Sequence, residues 1–281
     1  MLYAERTVFL SGTPMLSRPR ELWAILRSVF KDDVNIKDYY QYANQYCAAF
    51  TGQFGIDDSG ASNLEDLKKS YLDKFMYRLE KEEVIDLPEK VYVDIDLELN
   101  AEVTTTLNKE IEFSIDIDEL IKGTVSIGEY ATVRRELGLL KLEKCIEYIQ
   151  NVLDTTGAVV VFTYHVQLAE ELSKHFKTAH ITGATPNPIR TNVVRNFQEF
   201  GGVIIGTYGA MGTGITLTKS SNVVLCELEY SPRLIDQAVD RCHRIGQKNN
   251  VTIHTLLWKK GLERDLYYDL KKKDKTFKSL F

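Results

Sequence analysis

Ala158-Val159-Val160-Val161-Phe162-Thr163 is a short, valine-rich apolar run that closes on a threonine. Its length and β-branched content read as a strand. Comparable runs follow at Thr178–Thr182, Val203–Thr207, Asn222–Cys226 and Val251–Leu257, each separated from the next by an amphipathic stretch. That alternation predicts an α/β fold, a parallel sheet with crossover helices. Just upstream, Leu142, Cys145, Ile146, Ile149, Val152 and Leu153 recur at helical spacing, and His165–Phe176 repeats the pattern with Leu168, Ala169, Leu172 and Phe176. Both helices are expected to cover sheet faces.

The rest of the chain sets limits. With 281 residues, 44% of them apolar, it is long enough to bury a sizeable core as one large or two modest domains. Its longest apolar runs fall far short of the roughly 18 residues of a membrane span, and no signal-peptide pattern opens it. No membrane partner is expected, and an intracellular setting is: cytoplasm or nucleus, or host cytoplasm for a phage gene. Cys47, Cys145, Cys226 and Cys242 form no C-x-x-C pair, so buried, reduced thiols are expected, with neither a disulfide framework nor a metal site. The net charge of −5 supplies no global attraction to nucleic acid, though a local basic groove would suffice.

Residues 31–90 are tyrosine-rich and helical in pattern. A capping box, Ser62-x-x-Glu65, is expected to open the run Leu64, Leu67, Leu72, Phe75 and Met76. After Leu87-Pro88, the residues Val91, Val93, Ile95 and Leu97 alternate with polar ones as a half-buried strand does. Residues 100–136 are polar and weakly periodic, a short helical linker or a loop. Thr7–Leu10 is strand-like and ends abruptly in Ser11-Gly12-Thr13-Pro14, as though a domain began midway.

Three constellations carry possible chemistry. In Asp236-Gln237-Ala238-Val239-Asp240-Arg241-Cys242-His243-Arg244-Ile245-Gly246-Gln247, a helix would set Gln237, Arg241 and Arg244 on one face at i, i+4 and i+7. Two guanidiniums beside an amide suit a phosphate chain, since arginine offers permanently charged, planar donors. A bare R-x-x-R would more often be a solvated, salt-bridged helix, but the flanking glutamines and glycine favour function. The segment from Gly201 to Leu217 runs a strand into a glycine-rich turn whose amides could approach a phosphate, or which is only a tight connection. Ser11, Gly12, Thr13 and Pro14 could couple a strand end to a ligand site, with turn punctuation as the default.

In this order and spacing, these segments resemble the C-terminal motifs of SWI/SNF-type superfamily 2 helicase-like ATPases over nearly the whole chain. Ser17-Arg18-Pro19 and the stretch from Tyr71 to Lys90 look most like the HARP-type annealing-helicase branch. The resemblance implies a RecA-like sheet with flanking helices (the helicase C-terminal lobe) and a helical insertion on its N-terminal side. It divides the chain into a remnant of a first lobe (1–30), insertion and linker (31–136), second lobe (137–260) and a basic C-terminal helix (261–281). It implies arginine fingers at Arg241 and Arg244 aligned by Gln237, and an ATP cleft lined by Gly212, Thr213, Gly214 and Asp236. DNA-phosphate contacts are implied at Thr163, Thr182, Gly183 and Thr207, and a motif coupling ATP state to DNA at Ser11–Pro14. Strand-end capping is an equally good reading of the threonines. Where relatives commonly carry Ala-Gly-Gly and Gly-Leu-Asn-Leu, this chain has Gly209-Ala210-Met211-Gly212 and Gly214-Ile215-Thr216-Leu217.

Such an ATPase also needs a G-K-[ST] loop and an acidic D-E pair for phosphates and magnesium, and these 281 residues contain no convincing version of either. Asp118-Glu119 lies in the polar linker, and no glycine loop precedes Lys219-Ser220. The expectation is half of a DNA-dependent ATPase or translocase, inactive alone. ATP and Mg would be bound mainly by a first lobe supplied elsewhere, through truncation or a split gene. The competing expectation is a non-enzymatic nucleic-acid-binding module using Lys259, Lys260, Arg264, Lys271–Lys273, Lys275 and Lys278, a run that a solvated tail helix also explains. A Rossmann-type cofactor enzyme is disfavoured, because no G-x-G-x-x-G turn follows Val160–His165.

Overall fold

A computed structural model describes residues 8–52, 55–79, 81–112 and 127–281, excepting the side chains at 81, 82, 109–112 and 127–130. The chain forms two compact units: residues up to Met76 with Lys273–Phe281, and Tyr77–Lys272.

The smaller unit explains the tyrosine-rich composition. Its core gathers Met15, Leu22, Leu26, Ile36, Tyr42, Tyr46, Leu67, Tyr71 and Leu72 with Phe277 and Leu280. A buried phenol needs an acceptor. Tyr42 donates to the Pro19 carbonyl at 2.6 Å and Tyr46 to Asp66 Oδ2 at 2.7 Å. Asp33 and Asp38 cap the helices Val34–Lys37 and Tyr39–Tyr46, each accepting from backbone amides of the first turn. A short hairpin, β1 (Phe50–Gly52) and β2 (Gly55–Asp57), pairs antiparallel.

Two local expectations fail here. No capping box forms, because Ser62 Oγ is turned to the Gln45 carbonyl (2.7 Å) and the Ala48 amide (3.0 Å), leaving Asn63 as the N-cap of Leu64–Leu67. Tertiary bonds outcompete the local one. Thr7 lies outside the described residues, and Val8–Leu10 form no strand: Val8 and Leu10 are 79% and 92% exposed. Among the described residues no strand pairs with them, so their backbone groups join no ladder there.

The larger unit is built on six parallel strands: β3 (Lys90–Leu97), β4 (Ala158–Thr163), β5 (His180–Ile181), β6 (Gly202–Thr207), β7 (Asn222–Leu225) and β8 (Val251–Trp258). They lie in the order β3-β8-β7-β4-β6-β5, so the expected α/β parallel sheet is the one observed. Central β4 is buried at every position, with Val160 and Phe162 in one core and Val159 and Val161 in the other. Two-sided burial is why it reads as an unbroken apolar run. Helices Leu142–Thr156 and Val166–Phe176 cover one face with Cys145, Ile149, Leu168 and Leu172, while Asn187–Phe200 and Pro232–Val239 cover the other with Phe197, Ala238 and Val239. The weakly periodic 100–136 region supplies helices Ala101–Glu112 and Ile127–Leu140. The four cysteines are free and buried.

Gly206 shows how closely the edge strand docks. A Cβ there would lie 2.5 Å from the Ile181 carbonyl oxygen and 2.8 Å from Met211 Cγ. Gly206→Ala is expected to destabilise the larger unit by about 1–3 kcal/mol, read by urea unfolding, because backbone cannot yield as a flexible side chain can. An unchanged midpoint would contradict this packing.

Candidate functional site

The helix Pro232–Val239 ends two residues before Arg241, so the expected continuous helix from Gln237 to Gln247 is not formed. The reason lies in tertiary bonding. The Arg241 amide donates to Ala238, one residue short of α-helical spacing, and the Arg241 carbonyl accepts from the Leu217 amide at 2.8 Å. The Gln247 amide then gathers the Ser220 carbonyl (2.9 Å) with those of Thr218 and Cys242 (3.3 Å each), closing the turn at Gly246, whose φ is +103°. Arg241 and Arg244 are therefore held by a laced turn, not by a helix face.

Among the described residues each guanidinium has one anchor. Arg241 Nε donates to the Gln237 carbonyl at 3.0 Å, capping the helix end, and Arg244 Nη1 donates to the Ile215 carbonyl at 3.0 Å. Burial and then the nearby Arg244 lower the Arg241 pKa from its ordinary value, with Asp240 a smaller opposing influence. A guanidinium whose charge is disfavoured in this way marks a place where an anion would be welcome. Asp236 pairs with Arg233 at 2.9 Å within the same helix.

The bonds to Ile215 and Leu217 bring the arginine turn against the glycine-rich segment. Gly212 is buried, and a Cβ there would lie 2.5 Å from the Tyr208 carbonyl oxygen, so its glycine serves packing. Thr213 and Gly214 are exposed, Gly214 at φ +72°, where a side chain would be strained. Of the four residues expected to line a cleft, these two lie exposed beside the arginines.

Thr163, Thr182 and Thr207 stand at or just beyond the C-terminal ends of adjacent strands β4, β5 and β6, the edge at which parallel sheets bind ligands. They differ in what they offer. Gly183 is exposed and Thr207 half-buried. Thr182 is buried, and its amide is taken by Thr185 Oγ1 at 3.0 Å. Thr163 is fully buried and donates its hydroxyl to the His165 carbonyl at 3.1 Å, so that side chain caps its own strand. Of the two contacts to DNA expected at Thr163, through its hydroxyl or its backbone amide, the hydroxyl is already engaged within the strand end.

Sequence reasoning missed Glu227 beside it. Its buried carboxylate accepts from the Tyr164 amide (3.0 Å), the His165 amide (2.9 Å) and His165 Nδ1 (2.6 Å). Burial works against its charge, but the His165 ring and amide, then Lys141, outweigh it and hold the carboxyl below its ordinary range. Arg134 lies over the Tyr164 and Tyr230 rings, 3.9 and 4.2 Å from their centroids, and donates to the Leu228 carbonyl. No sequence spacing announces these lone charges. Because Glu227 is held below its unfolded value near 4.3, its contribution is complete above that value and lost as pH falls through the lower folded value. Glu227→Gln is expected to cost about 2 kcal/mol at pH 7, a gap in unfolding free energy that narrows below about pH 4. A gap independent of pH would contradict the assignment.

Ser11–Pro14 belong to the smaller unit, where Thr13 N donates to Ser11 Oγ at 3.1 Å. Asp118-Glu119 lie outside the described residues. Part of the basic run at and before the last helix, Leu262–Leu280, is balanced by acidic partners: Arg264 pairs with Asp96, Lys259 with Glu98 and Lys278 with Asp274. Among the described residues no three His, Cys, Asp or Glu side chains are grouped to hold a metal, and no helix is long and apolar enough to cross a membrane.

Residues 140–246 match the family described as the helicase conserved C-terminal domain. The chain is 32% identical over 273 residues to the "DNA annealing helicase and endonuclease ZRANB3" of Homo sapiens, covering 90% of this chain and 25% of that protein. It is 30% identical over 276 residues to the "SWI/SNF-related matrix-associated actin-dependent regulator of chromatin subfamily A-like protein 1 homolog" of Caenorhabditis elegans, covering 92% of this chain and 39% of that one. The chain thus spans between a quarter and two-fifths of these relatives. Among solved structures, the C-terminal part of the Fun30 ATPase domain superposes with a TM-score of 0.51 at 17% identity, covering 69% of this chain and 99% of that one, a likeness of fold.

Proposed function

We propose that this chain, a SWI/SNF-type helicase C-terminal lobe, supplies the arginine-bearing wall of an ATP cleft and the DNA-phosphate contacts of a DNA-dependent ATPase or translocase. The observation that carries the proposal is the lacing of Arg241 and Arg244 onto Ile215–Leu217. It fixes two partly buried guanidiniums beside the exposed Thr213-Gly214 turn, with no carboxylate among the described residues hydrogen-bonded to either. Arginines so placed stabilise charge that develops on a transferring phosphoryl group. ATP with its magnesium would be held mainly by a first lobe with a G-K-[ST] loop and a D-E pair, on the same polypeptide or another. The arginines of this chain would face the γ-phosphate, with Gln237 and Asp236 in the helix that leads into their turn. In this reading residues 1–30 continue the first lobe, 31–136 are insertion and linker, 137–260 the second lobe and 261–281 a terminal helix. DNA is the polymer partner, met at Gly183 and Thr207 without base readout.

Mixing this chain with such a first-lobe polypeptide and measuring DNA-stimulated ATP hydrolysis tests the proposal. The mixture is expected to turn over ATP while neither part does alone. No gain on mixing would reject it.

A further inference from the structure

At the start of β3 the chain also reaches the arginine turn. Lys90 Nζ pairs with Asp240 Oδ1 at 2.8 Å, with both side chains about a quarter exposed (21% and 27%). His243, nearly fully buried, donates Nε2–H to the Pro88 carbonyl at 2.6 Å. Around them, Val251 N donates to the Glu89 carbonyl (2.8 Å) and Glu89 N to Asn250 Oδ1 (3.1 Å). Asp240 immediately precedes Arg241, and His243 immediately precedes Arg244. Each arginine is thus flanked on its N-terminal side by a residue tied to Pro88–Lys90. Burial opposes the Lys90 charge, yet Asp240 outweighs it and raises the Lys90 pKa, so Lys90 keeps its charge throughout the neutral range.

We infer that Lys90, through Asp240, and the Pro88 carbonyl, through His243, are the positioning elements that aim Arg241 and Arg244. On one side the turn is stapled to Ile215 and Leu217 through the arginines' own groups. On the other it is stapled to the strand approach through their neighbours. A turn held from one side alone would let the guanidiniums swing, and displacement of a catalytic group by about 1 Å can lower a rate by about 100-fold. Lys90 touches no nucleotide in this account and acts only through Asp240. The inference rests on the arginine reading above.

The test uses the chain assembled with a first lobe. Lys90→Met is expected to lower kcat by about 10- to 100-fold while the KM for ATP changes less than about two-fold, because aim is lost and ground-state binding is kept. Lys90→Arg is expected to retain most activity, and the exchange of charges in Lys90→Asp with Asp240→Lys to recover it to within about five-fold. Amide hydrogen exchange over residues 240–247 of the chain alone should quicken in Lys90→Met. Should that variant fold poorly, Asp240→Asn removes the same pair with little change of shape. Unchanged kcat and unchanged exchange in a variant whose Arg241→Ala counterpart is inactive would overturn the brace and leave the arginine reading standing. Full activity of Arg241→Ala would remove the arginine reading, and with it the catalytic role assigned to the brace.

Discussion

Replacing Arg241 with alanine is expected to lower kcat for DNA-stimulated ATP hydrolysis by about 10³- to 10⁵-fold in the chain assembled with a first lobe, the range over which arginine fingers act. Arg241 spends its Nε on the Gln237 carbonyl (3.0 Å), and its Nη groups take no hydrogen-bond partner among the described residues. That single anchor orients the planar fork without consuming it. Its partial burial and the neighbouring Arg244 both disfavour the free cation, so a phosphoryl oxygen entering between them relieves a penalty already present. Arg241→Lys keeps charge but lacks both the Nε anchor and the fork, and is expected to fall well short of rescue. Stability should change by less than about 1 kcal/mol, because the side chain is only partly buried and leaves no core cavity. A kcat within a few-fold of wild type, measured by steady-state turnover, would contradict the assignment.

The largest expected effect on stability belongs to Lys141. Its side chain is fully buried, and Nζ donates to the Cys226 carbonyl at 2.9 Å, to the Leu256 carbonyl at 2.7 Å and to the carboxylate of Glu263. One ammonium thereby joins the ends of β7 and β8 to the start of the last helix with all three of its protons used. Lys141→Met preserves length and apolar packing but strands a carboxylate and two strand-end carbonyls, which is expected to destabilise the larger unit by about 3–5 kcal/mol. At roughly 2–4 °C per kcal/mol for a unit of this size, Tm should fall by about 10 °C. A double variant, Lys141→Met with Glu263→Gln, should recover part of the loss, since the stranded charge is then gone. Equal Tm values for wild type and Lys141→Met would refute this account of the strand ends.

What the sequence made legible follows from which forces are local. The run Ala158–Thr163 is visible as a strand because it is buried on both sides, so every position must be apolar or paired, and Val251–Leu257 because its buried positions alternate with half-buried ones before turning continuous. The alternation of such runs with amphipathic helices leaves a parallel sheet as the natural arrangement. The arginine pair was legible as residue types but not as geometry. Periodicity carried the helix on to Gln247, whereas bonds from Leu217, Ser220 and Ile215, all distant in sequence, end it at Val239. The same competition undid the capping box at Ser62 and turned the Thr163 hydroxyl inward. Glu227, Arg134, Lys141 and Lys90 were illegible because a single charged residue carries no spacing. Their roles arise from partners 30 to 150 positions away, as in Arg134 with Tyr164, Glu227 with His165 and Lys90 with Asp240.

Whether Arg241 and Arg244 meet the transferring phosphoryl group is tested most directly by trapping it. ADP with aluminium fluoride imitates that group in flight, and its capture should lock this chain onto a first-lobe polypeptide in the presence of magnesium and DNA, read by size-exclusion chromatography. The account predicts a stable complex for the wild-type chain and none for Arg241→Ala or Arg244→Ala. A complex that forms equally well with both arginines removed would contradict it.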